Sequence, residues 1–521
     1  MKVLIPTWGK GVDLWDITKY LNKALIKVWK KPAISYIIEA YPEDTEFVIT
    51  TGYFWSQIKD FLKITYPEKN IHVVEVNLYE GPGSSFLYSM LQAKELLQSP
   101  FIYQACDTIV LDKIDIPDIN RLWWYKGTSS SNYAGFNVIG NIVERIQEKW
   151  ALNTDYIHIW LGHIHDYTTF WTVAEKLYEK NPNNRSLWDV NIINKMIEWW
   201  SSFTVNQYKQ WFDTGNVDWL NKARKEISDS FHILNKLEES IYMYDDFVVK
   251  FFYNQELSDK RVKRAEFLKW LVPEIQGHEN NFFRYKYADG KLYSRVANTH
   301  NFKDFLERSA KNLWTPTHEL DDQKFKEVCY DFYYNKSIQR VEKFMQNHNL
   351  KDEKNVINDL GIPTIAELFS MIDWDRLCDS QQTNFHGDFI LDNIIQTKDW
   401  FCLLDRRQDF GGLLQSWDMY YDLAKLNHNL IINHDIINAD HFTIERDNNN
   451  ITVDIHRREK LVECQNILHS FILQQWLDLK RVKVLSAIIW LNMSPLHHHP
   501  FDKFLFYFGK YKLWQAINLK D

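Results

Sequence analysis

Cysteine is scarce and scattered. The five residues, Cys106, Cys329, Cys378, Cys402 and Cys464, form no C-x-x-C pair. That points away from structural zinc and fits a reducing, cytoplasmic location. No run of about 18 apolar residues occurs, so no membrane-spanning helix is expected. The opening Met1-Lys2-Val3-Leu4-Ile5-Pro6 is too short an apolar run for a signal peptide. Positive charge is not in excess: 61 Lys and Arg against 69 Asp and Glu give a formal charge of -8, which argues against nucleic acid as the main partner. Internal repeats and low-complexity segments are missing. So is any Gly/Ser- or Pro-rich linker, which predicts closely packed domains. Aromatics, by contrast, are plentiful, at 16% with 22 Trp, so apolar burial is not limiting. A chain of 521 residues exceeds one typical core, and two domains are expected.

The densest chemistry lies in Asn384-Phe385-His386-Gly387-Asp388-Phe389-Ile390-Leu391-Asp392-Asn393, answered by Leu403-Leu404-Asp405. Residues 393–396 read as a short strand, Thr397-Lys398-Asp399 as a turn, and 400–404 as the returning strand. In an antiparallel hairpin the start of one strand lies beside the end of the other. Asn393 and Asp405 therefore share one end, with Asp388 on the loop before them. Hard oxygen donors of this kind suit Mg²⁺. Phosphoryl transfer needs such a metal and a free carboxylate to accept the hydroxyl proton.

This His-Gly-Asp, four residues, Asn, apolar strand, Asp pattern resembles the core of the aminoglycoside phosphotransferase and choline kinase family, a branch of the protein-kinase-like fold. The resemblance implies Asp388 as catalytic base and Asn393 and Asp405 as metal ligands. Upstream, 241–252 reads as a hairpin whose second strand carries Lys250. The helix expected over 259–271 offers Glu266. In kinase-like folds such a Lys holds the ATP phosphates and pairs with a helix Glu. Strands at 282–287 and 292–297 are expected to complete a small lobe, and 299–314 to open a larger helical one. Trp417-Asp418-Met419-Tyr420-Tyr421-Asp422-Leu423-Ala424 resembles the family's G-D-P-x-x-D-L-A, with Asp422 bracing the catalytic loop and Trp417 where the family has Gly. Asp409 either borders the metal site or caps a turn. His497, His498 and His499 read as loop residues, and the aromatics of 504–514 as core with a share open to a substrate pocket.

Residues 1–228 alternate strand and helix: strands at 2–5, 46–50, 71–76 and 101–105, helices at 33–39 and 84–97. That implies a doubly wound, mostly parallel α/β sheet, with ligands at the carboxyl ends of its strands. Two positions stand there, the loop holding Gly9 and Gly11, and Asp107. Together with Asn22-Lys23, Lys31-Pro32, Glu80-Gly81-Pro82-Gly83-Ser84-Ser85 and Trp211-Phe212-Asp213-Thr214-Gly215, they resemble the sugar-phosphate nucleotidyltransferases, whose Rossmann-like fold is close to that of GT-A glycosyltransferases. The resemblance implies a nucleotide loop at Gly9 and Gly11, a base-contacting loop at Gly83 and Ser84, Lys23 stabilising the substrate phosphate, and Asp107 and Asp213 holding Mg²⁺. Glu148-Lys149 is a further match. The family also places Arg two residues after the second glycine, to clamp a triphosphate; this chain has Asp13. Either Lys10 or Lys19 supplies that charge, or the domain is slow, altered or inactive.

The expectation is thus an α/β nucleotidyltransferase-like domain, 1–228, and an α+β protein-kinase-like domain, 229–521. The first would condense a phosphate ester with a second NTP, CTP being one candidate. The second would phosphorylate a small alcohol (an amino alcohol such as choline, a sugar or a polyol) with ATP. Such products feed surface polysaccharide or lipid assembly in the families resembled. An oligomer is compatible with this reading. The alternatives are a kinase with a degenerate first domain, or a GT-A glycosyltransferase, which would be expected to show Asp-x-Asp where this chain has Asp107-Thr108-Ile109.

Overall fold

The computed structural model describes residues 1–114, 117–125, 133–147, 154–228 and 236–519. Glu148 and Lys149 lie outside them. The chain forms two compact units, Met1–Ser258 with Gln276–Tyr287, and Asp259–Ile275 with Ala288–Asp521. No helix among the described residues is long and apolar enough to cross a membrane.

Unit 1 is built on a nine-stranded sheet. Its strands are β1 (Lys2–Pro6), β2 (Glu46–Thr51), β3 (Ile71–Glu75), β4 (Phe101–Gln104), β6 (Arg121–Tyr125), β7 (Gly135–Ile139), β8 (Ile142–Gln147), β9 (Tyr156–Ile164) and β10 (Thr204–Gln207), in the order β3-β2-β1-β4-β9-β6-β10-β8-β7. β5 (Thr108–Val110) and β11 (Trp211–Asp213) form a separate antiparallel pair. Apolar runs such as Val3-Leu4-Ile5 suit strands covered on both faces. Val3, Ile5, Phe47 and Ile49 enter one core, where α1 (Ala33–Glu39) and α2 (Trp55–Thr65) pack. Leu4 and Val48 enter the other, with α3 (Phe86–Leu91), α4 (Tyr167–Lys180) and α5 (Asp189–Glu198). The doubly wound arrangement is therefore present.

Parallel pairing holds only in part. β3, β2, β1 and β4 are mutually parallel, but β9 runs antiparallel to both β4 and β6, and β8 antiparallel to β7 and β10. The tight turn between β7 and β8 forces the reversal there, because short connections cannot join parallel neighbours. α3 is also shorter than the expected 84–97 helix: it ends at Leu91, and only a 3₁₀ turn at Lys94–Leu96 continues it. α6 (Val217–Ile227) closes this part of the unit.

A four-stranded sheet completes unit 1: β12 (Glu239–Met243), β13 (Phe247–Phe252), β14 (Ile275–Glu279) and β15 (Phe282–Lys286), ordered β12-β13-β15-β14. Its fourth strand is β14, not the expected 292–297. There, Lys291–Leu292 pairs instead with Ile394–Gln396, and Tyr293–Val296 forms one helical turn. The sheet shares the core of α2. Phe61 packs edge-on to Tyr242, with ring centroids 5.5 Å apart, and lies 5.9 Å from Phe282. Tyr242 donates to the Leu25 carbonyl at 2.6 Å.

In unit 2 the strands Ile394–Gln396 and Phe401–Leu403 form the expected hairpin. Around it lie the helices Thr299–Asn312, Met419–Ile431, Glu459–Gln474, Leu479–Met493 and Phe501–Ile517. Phe504, Phe506, Tyr507 and Phe508 are buried in its core, so that part of the aromatic cluster serves packing.

Phe61→Ala should lower the stability of unit 1 by about 3–5 kcal/mol. The check is urea unfolding followed by tryptophan fluorescence, with the expected transition at lower denaturant and an unchanged baseline.

Candidate active sites

In unit 1 the site follows from two strand ends. β4 stops at Gln104 and the chain turns through Ala105-Cys106-Asp107, closed by the Thr108 amide donating to the Ala105 carbonyl at 3.1 Å. β5 then pairs with β11 so that Thr108 faces Asp213. That register sets Asp213 beside Asp107. The Thr214 amide locks the two segments by donating to the Asp107 carbonyl at 2.9 Å. A methyl group placed on Gly215 would lie 3.0 Å from Asp213 Oδ1 and 3.3 Å from Asp107 Oδ2, so glycine keeps the space between the carboxylates open. Tyr133 donates to Asp213 Oδ2 at 2.5 Å and the Gly215 amide to Oδ1 at 2.7 Å. Burial, and then the neighbouring charge of Asp107, push the Asp213 carboxyl up to about 6. Two carboxylates so close call for a cation, and an oxygen-only donor pair of this kind fits Mg²⁺.

Lys23 supplies one positive charge, its Nζ 3.0 Å from Asp107 Oδ2. Burial alone would lower its pKa, but Asp107 and Cys106 outweigh burial and raise it, so the ammonium persists. The side chain of the neighbouring Asn22 aims this lysine. It caps the turn by accepting from the Ala24 amide at 2.9 Å, and it donates to the carbonyls of Thr7 at 3.0 Å and Tyr53 at 2.6 Å. The loop after β1 is thereby tied to the loop after β2. Gly11, at φ 67°, has left-handed backbone, and a Cβ there would press on Lys23 Cβ at 3.1 Å, so this position requires glycine.

These residues line one cleft of about 1320 Å³ at the carboxyl ends of β1 and β4; Gly9, Gly11, Lys23, Ser84, Asp107 and Asp213 all border it. Gly83, expected at the nucleotide, is not among the residues that line it; at φ 85° a Cβ there would meet the Pro182 carbonyl oxygen at 2.7 Å. Asp13 is exposed in the cleft wall. Lys10 is paired with Glu80 at 2.6 Å, and Lys19 sits over the Tyr20 ring at 5.1 Å. A cation that sequence reading missed, Arg185, also lines the cleft. It lies on a loop zipped to the Gly83 segment through the Leu87 amide and Leu187 carbonyl, 3.1 Å apart. Tyr133 was missed as well; no motif marks it.

In unit 2 the hairpin places its residues as expected. The Leu404 amide donates to the Asn393 carbonyl at 2.7 Å, so Asp405 follows directly beside Asn393. Asn393 Nδ2 donates to Asp388 Oδ2 at 3.0 Å and to its carbonyl at 2.9 Å. Asp405, at φ 53°, lies 3.7 Å from Arg261 Nη1. Asp409 pairs with Lys260 at 3.0 Å. Asp388, Asn393 and Asp405 offer oxygen donors only, which fits Mg²⁺. Lys425 reaches Asp388 Oδ1 at 2.8 Å. Burial would raise the Asp388 carboxyl, but Lys425, His386 and Asn393 outweigh it and hold the group well below the ordinary carboxylate range.

Asp422 is the brace. Fully buried, it accepts from the amides of His386 at 2.8 Å and Gly387 at 2.7 Å, and from Trp314 Nε1 at 3.2 Å. Burial pushes its carboxyl up to about 6, against those hydrogen bonds. Arg264 adds a second support by donating to the Phe385 carbonyl at 2.5 Å and the Leu414 carbonyl at 2.7 Å. Trp417 is buried, stacked on Phe410 with centroids 4.1 Å apart. Glu266 is exposed on its helix. Lys250, in unit 1, is buried in β13 and faces Ile241 and Phe283 across the sheet.

No family model and no curated protein matches the chain. Among solved structures it is similar to a protein described as a glucose-1-phosphate thymidylyltransferase from Bacillus anthracis, at 18% identity over 46% of this chain and 98% of that one, TM-score 0.40. It is also similar to the CTP:phosphocholine cytidylyltransferase of Streptococcus pneumoniae, at 19% identity, 44% and 99% coverage, TM-score 0.39. A third is the inositol-1-phosphate CTP transferase of T. maritima, at 12% identity, 44% and 98% coverage, TM-score 0.36. Likeness at this level assigns neither a family nor an activity.

Asp422→Ala should leave two buried amides without an acceptor, at about 1–3 kcal/mol each. Hydrogen exchange at His386 and Gly387 should accelerate strongly, while amides of the β1–β4 sheet in unit 1 keep their rates.

Proposed function

We propose that the chain is a bifunctional enzyme: a nucleotidyltransferase-like module over 1–228 and a small-alcohol kinase over 229–521. The observation that carries the reading is the convergence of Asp107, Asp213 and Lys23 in one cleft of unit 1, on the carboxyl side of a doubly wound sheet. In such sheets ligands bind at that edge. A phosphate ester and an NTP would meet here. The ester oxygen forms a bond to the α-phosphorus, the bond from that phosphorus to the β-phosphate oxygen breaks, and pyrophosphate leaves. Lys23 would offset charge on the ester phosphate, the backbone of the Gly9–Gly11 loop would face the triphosphate, and the Gly83–Ser84 loop would face the base. Asp107 and Asp213 would hold Mg²⁺, which when bound offsets the charge developing on the phosphates.

In unit 2 Asp388 would accept the proton of an alcohol (an amino alcohol, sugar or polyol) as it takes the γ-phosphoryl group of ATP, and Asn393 with Asp405 would hold the metal. In unit 1 Lys250 would hold the nucleotide phosphates; the same reading assigns Glu266 as its partner. The two steps in sequence would give an NDP-linked precursor for surface polysaccharide or lipid, made in the cytoplasm from small molecules and nucleotides. A second reading, in which unit 1 binds nucleotide without turning it over, is favoured by one observation: Asp13 stands in the cleft wall where a triphosphate clamp would carry Arg. Charge-assisted Arg–phosphate bonds are among the strong ones, so the cleft would have to draw that charge from Arg185.

Pyrophosphate release with Mg²⁺, each NTP, and a panel of phosphocholine, sugar 1-phosphates and polyol phosphates is the test. Release with one pair should fall by about 10²-fold or more in Asp107→Ala and persist in Asp388→Ala. No release with any pair, alongside ATP-dependent phosphorylation of a free alcohol, would leave the second reading.

A further inference from the structure

The segment Asp388–Asn393 holds two further carboxylates besides its amide, at Asp388 and Asp392, and no basic residue. A basic side chain against Asp388 therefore has to come from outside that segment. The helix Met419–Ile431 provides one. Asp422, Lys425 and Asn429 lie on one face, at spacings of three and four, and grip the segment in order. Asp422 takes the His386 and Gly387 amides. Lys425 meets Asp388 at 2.8 Å, and Asn429 takes the Leu391 amide at 3.0 Å. Lys425 keeps only 13% of its side chain exposed, whereas Asp388 keeps 39% of its own, so the pair is rooted on the helix side and open on the carboxylate side. A lysine that only neutralised Asp388 would make it a poor proton acceptor and would cost desolvation as well.

Resting on the kinase reading, we propose that Lys425 is a further catalytic residue of unit 2, its ammonium bridging Asp388 and the phosphoryl group in transfer. The alcohol oxygen bonds to the γ-phosphorus of ATP, the bond to the β–γ bridging oxygen breaks to leave ADP, and the hydroxyl proton passes to Asp388. Lys425 then stays against the phosphoryl oxygens as the Asp388 charge is lost. The test compares Lys425→Met, Lys425→Arg and Asp388→Asn in ADP release from ATP with choline, glucose or glycerol as the alcohol, with thermal melting as the fold control. Expected are a kcat for Lys425→Met lowered by about 10²–10³-fold, a KM for ATP within a few-fold, and partial rescue by Lys425→Arg. Should Lys425→Met melt below the assay temperature, Lys425→Gln replaces it with the same expectation. A kcat near that of the parent with Asp388→Asn inactive overturns the role of Lys425 alone. An active Asp388→Asn overturns the kinase reading itself.

A different observation concerns tryptophan. Among the described residues, those other than glycine with positive φ are mostly Asn and Asp, which tolerate it, but five are Trp: Trp15, Trp160, Trp200, Trp270 and Trp476. Two of them end helices. After α5, the Trp200 amide donates to the Ile197 carbonyl and the Ser201 amide to the Met196 carbonyl, both at 3.0 Å. After the helix Glu459–Gln474, the Trp476 amide donates to the Leu473 carbonyl at 3.1 Å and the Leu477 amide to the Ile472 carbonyl at 3.0 Å. This paired pattern is the Schellman motif, whose left-handed position is normally glycine. Here it holds Trp200 at φ 74°, 95% exposed, and Trp476 at φ 58°, 96% exposed. Trp270 shares only the left-handed backbone and the exposure, at φ 72° and 93% exposed. Trp15, at φ 51° and ψ -130°, is 79% exposed in the wall of the unit 1 cleft. No burial offsets the strain at these exposed positions. The chain also carries 22 Trp but only 17 Gly in 521 residues, whereas glycine is usually about 7% of a protein.

We infer that Trp15, Trp200, Trp270 and Trp476 occupy glycine positions, and that the codon read as tryptophan there is decoded as glycine in the organism that makes the protein. At Trp15 the consequence is functional: a glycine would clear a bulky ring from the loop facing the nucleotide. Peptide mass spectrometry of the protein isolated from that organism tests the decoding. Peptides spanning residues 200 and 476 should each carry glycine; tryptophan in both overturns it. For the chain as written, Trp200→Gly and Trp476→Gly should each raise the melting temperature. A lower or unchanged value in both overturns the backbone argument.

Discussion

The geometry of unit 1 depends on holding two like charges face to face. Asp107 and Asp213 come from segments over a hundred residues apart, and the antiparallel pairing of β5 with β11 brings them together. Left alone, the pair would repel and one member would neutralise. The structure answers with Lys23 on one side and hydrogen-bond donors from Tyr133 and the Gly215 amide on the other. Everything that aims Lys23, from the Asn22 cap to the close approach at Gly11, can be understood as support for that one electrostatic arrangement.

Unit 2 meets a related problem with the opposite means. Its loop at 386–388 carries amides that would go unsatisfied, and a buried carboxylate, Asp422, collects them. The carboxylate is costly to bury, and three donors offset that cost. The loop is thus fixed from behind by a helix, which leaves the Asp388 side chain part-exposed on the front.

Much of this was legible in the sequence, and for definable reasons. Short linear patterns fixed by backbone geometry, such as His386-Gly387-Asp388 with its hairpin, or Asp107 at a strand's carboxyl end, carry their structure with them. So does Asp422, whose spacing from the loop is set by a helix start. What the sequence hid was long-range. Tyr133 and Arg185 reach the cleft through sheet register and loop packing, which no local pattern encodes. Lys425 reads as a surface lysine on a helix until the loop it grips is in place. The strands β8, β10 and Ile275–Glu279 were missed because a short run with half-exposed or exposed positions looks the same as a loop; β9 is long and buried, but its antiparallel direction is a matter of pairing that no local pattern carries.

The small sheet of unit 1 has a temporal meaning. Its strands close over Phe61 on α2, yet the chain leaves unit 1 after Ser258 and returns only for Gln276–Tyr287. A ribosome making this protein from its amino terminus has therefore delivered every residue of the nine-stranded sheet long before Phe282 emerges. Until then the face of α2 that carries Phe61 lacks one of its aromatic partners, and the first core stays unfinished well into the synthesis of what sequence pattern alone assigns to the second domain.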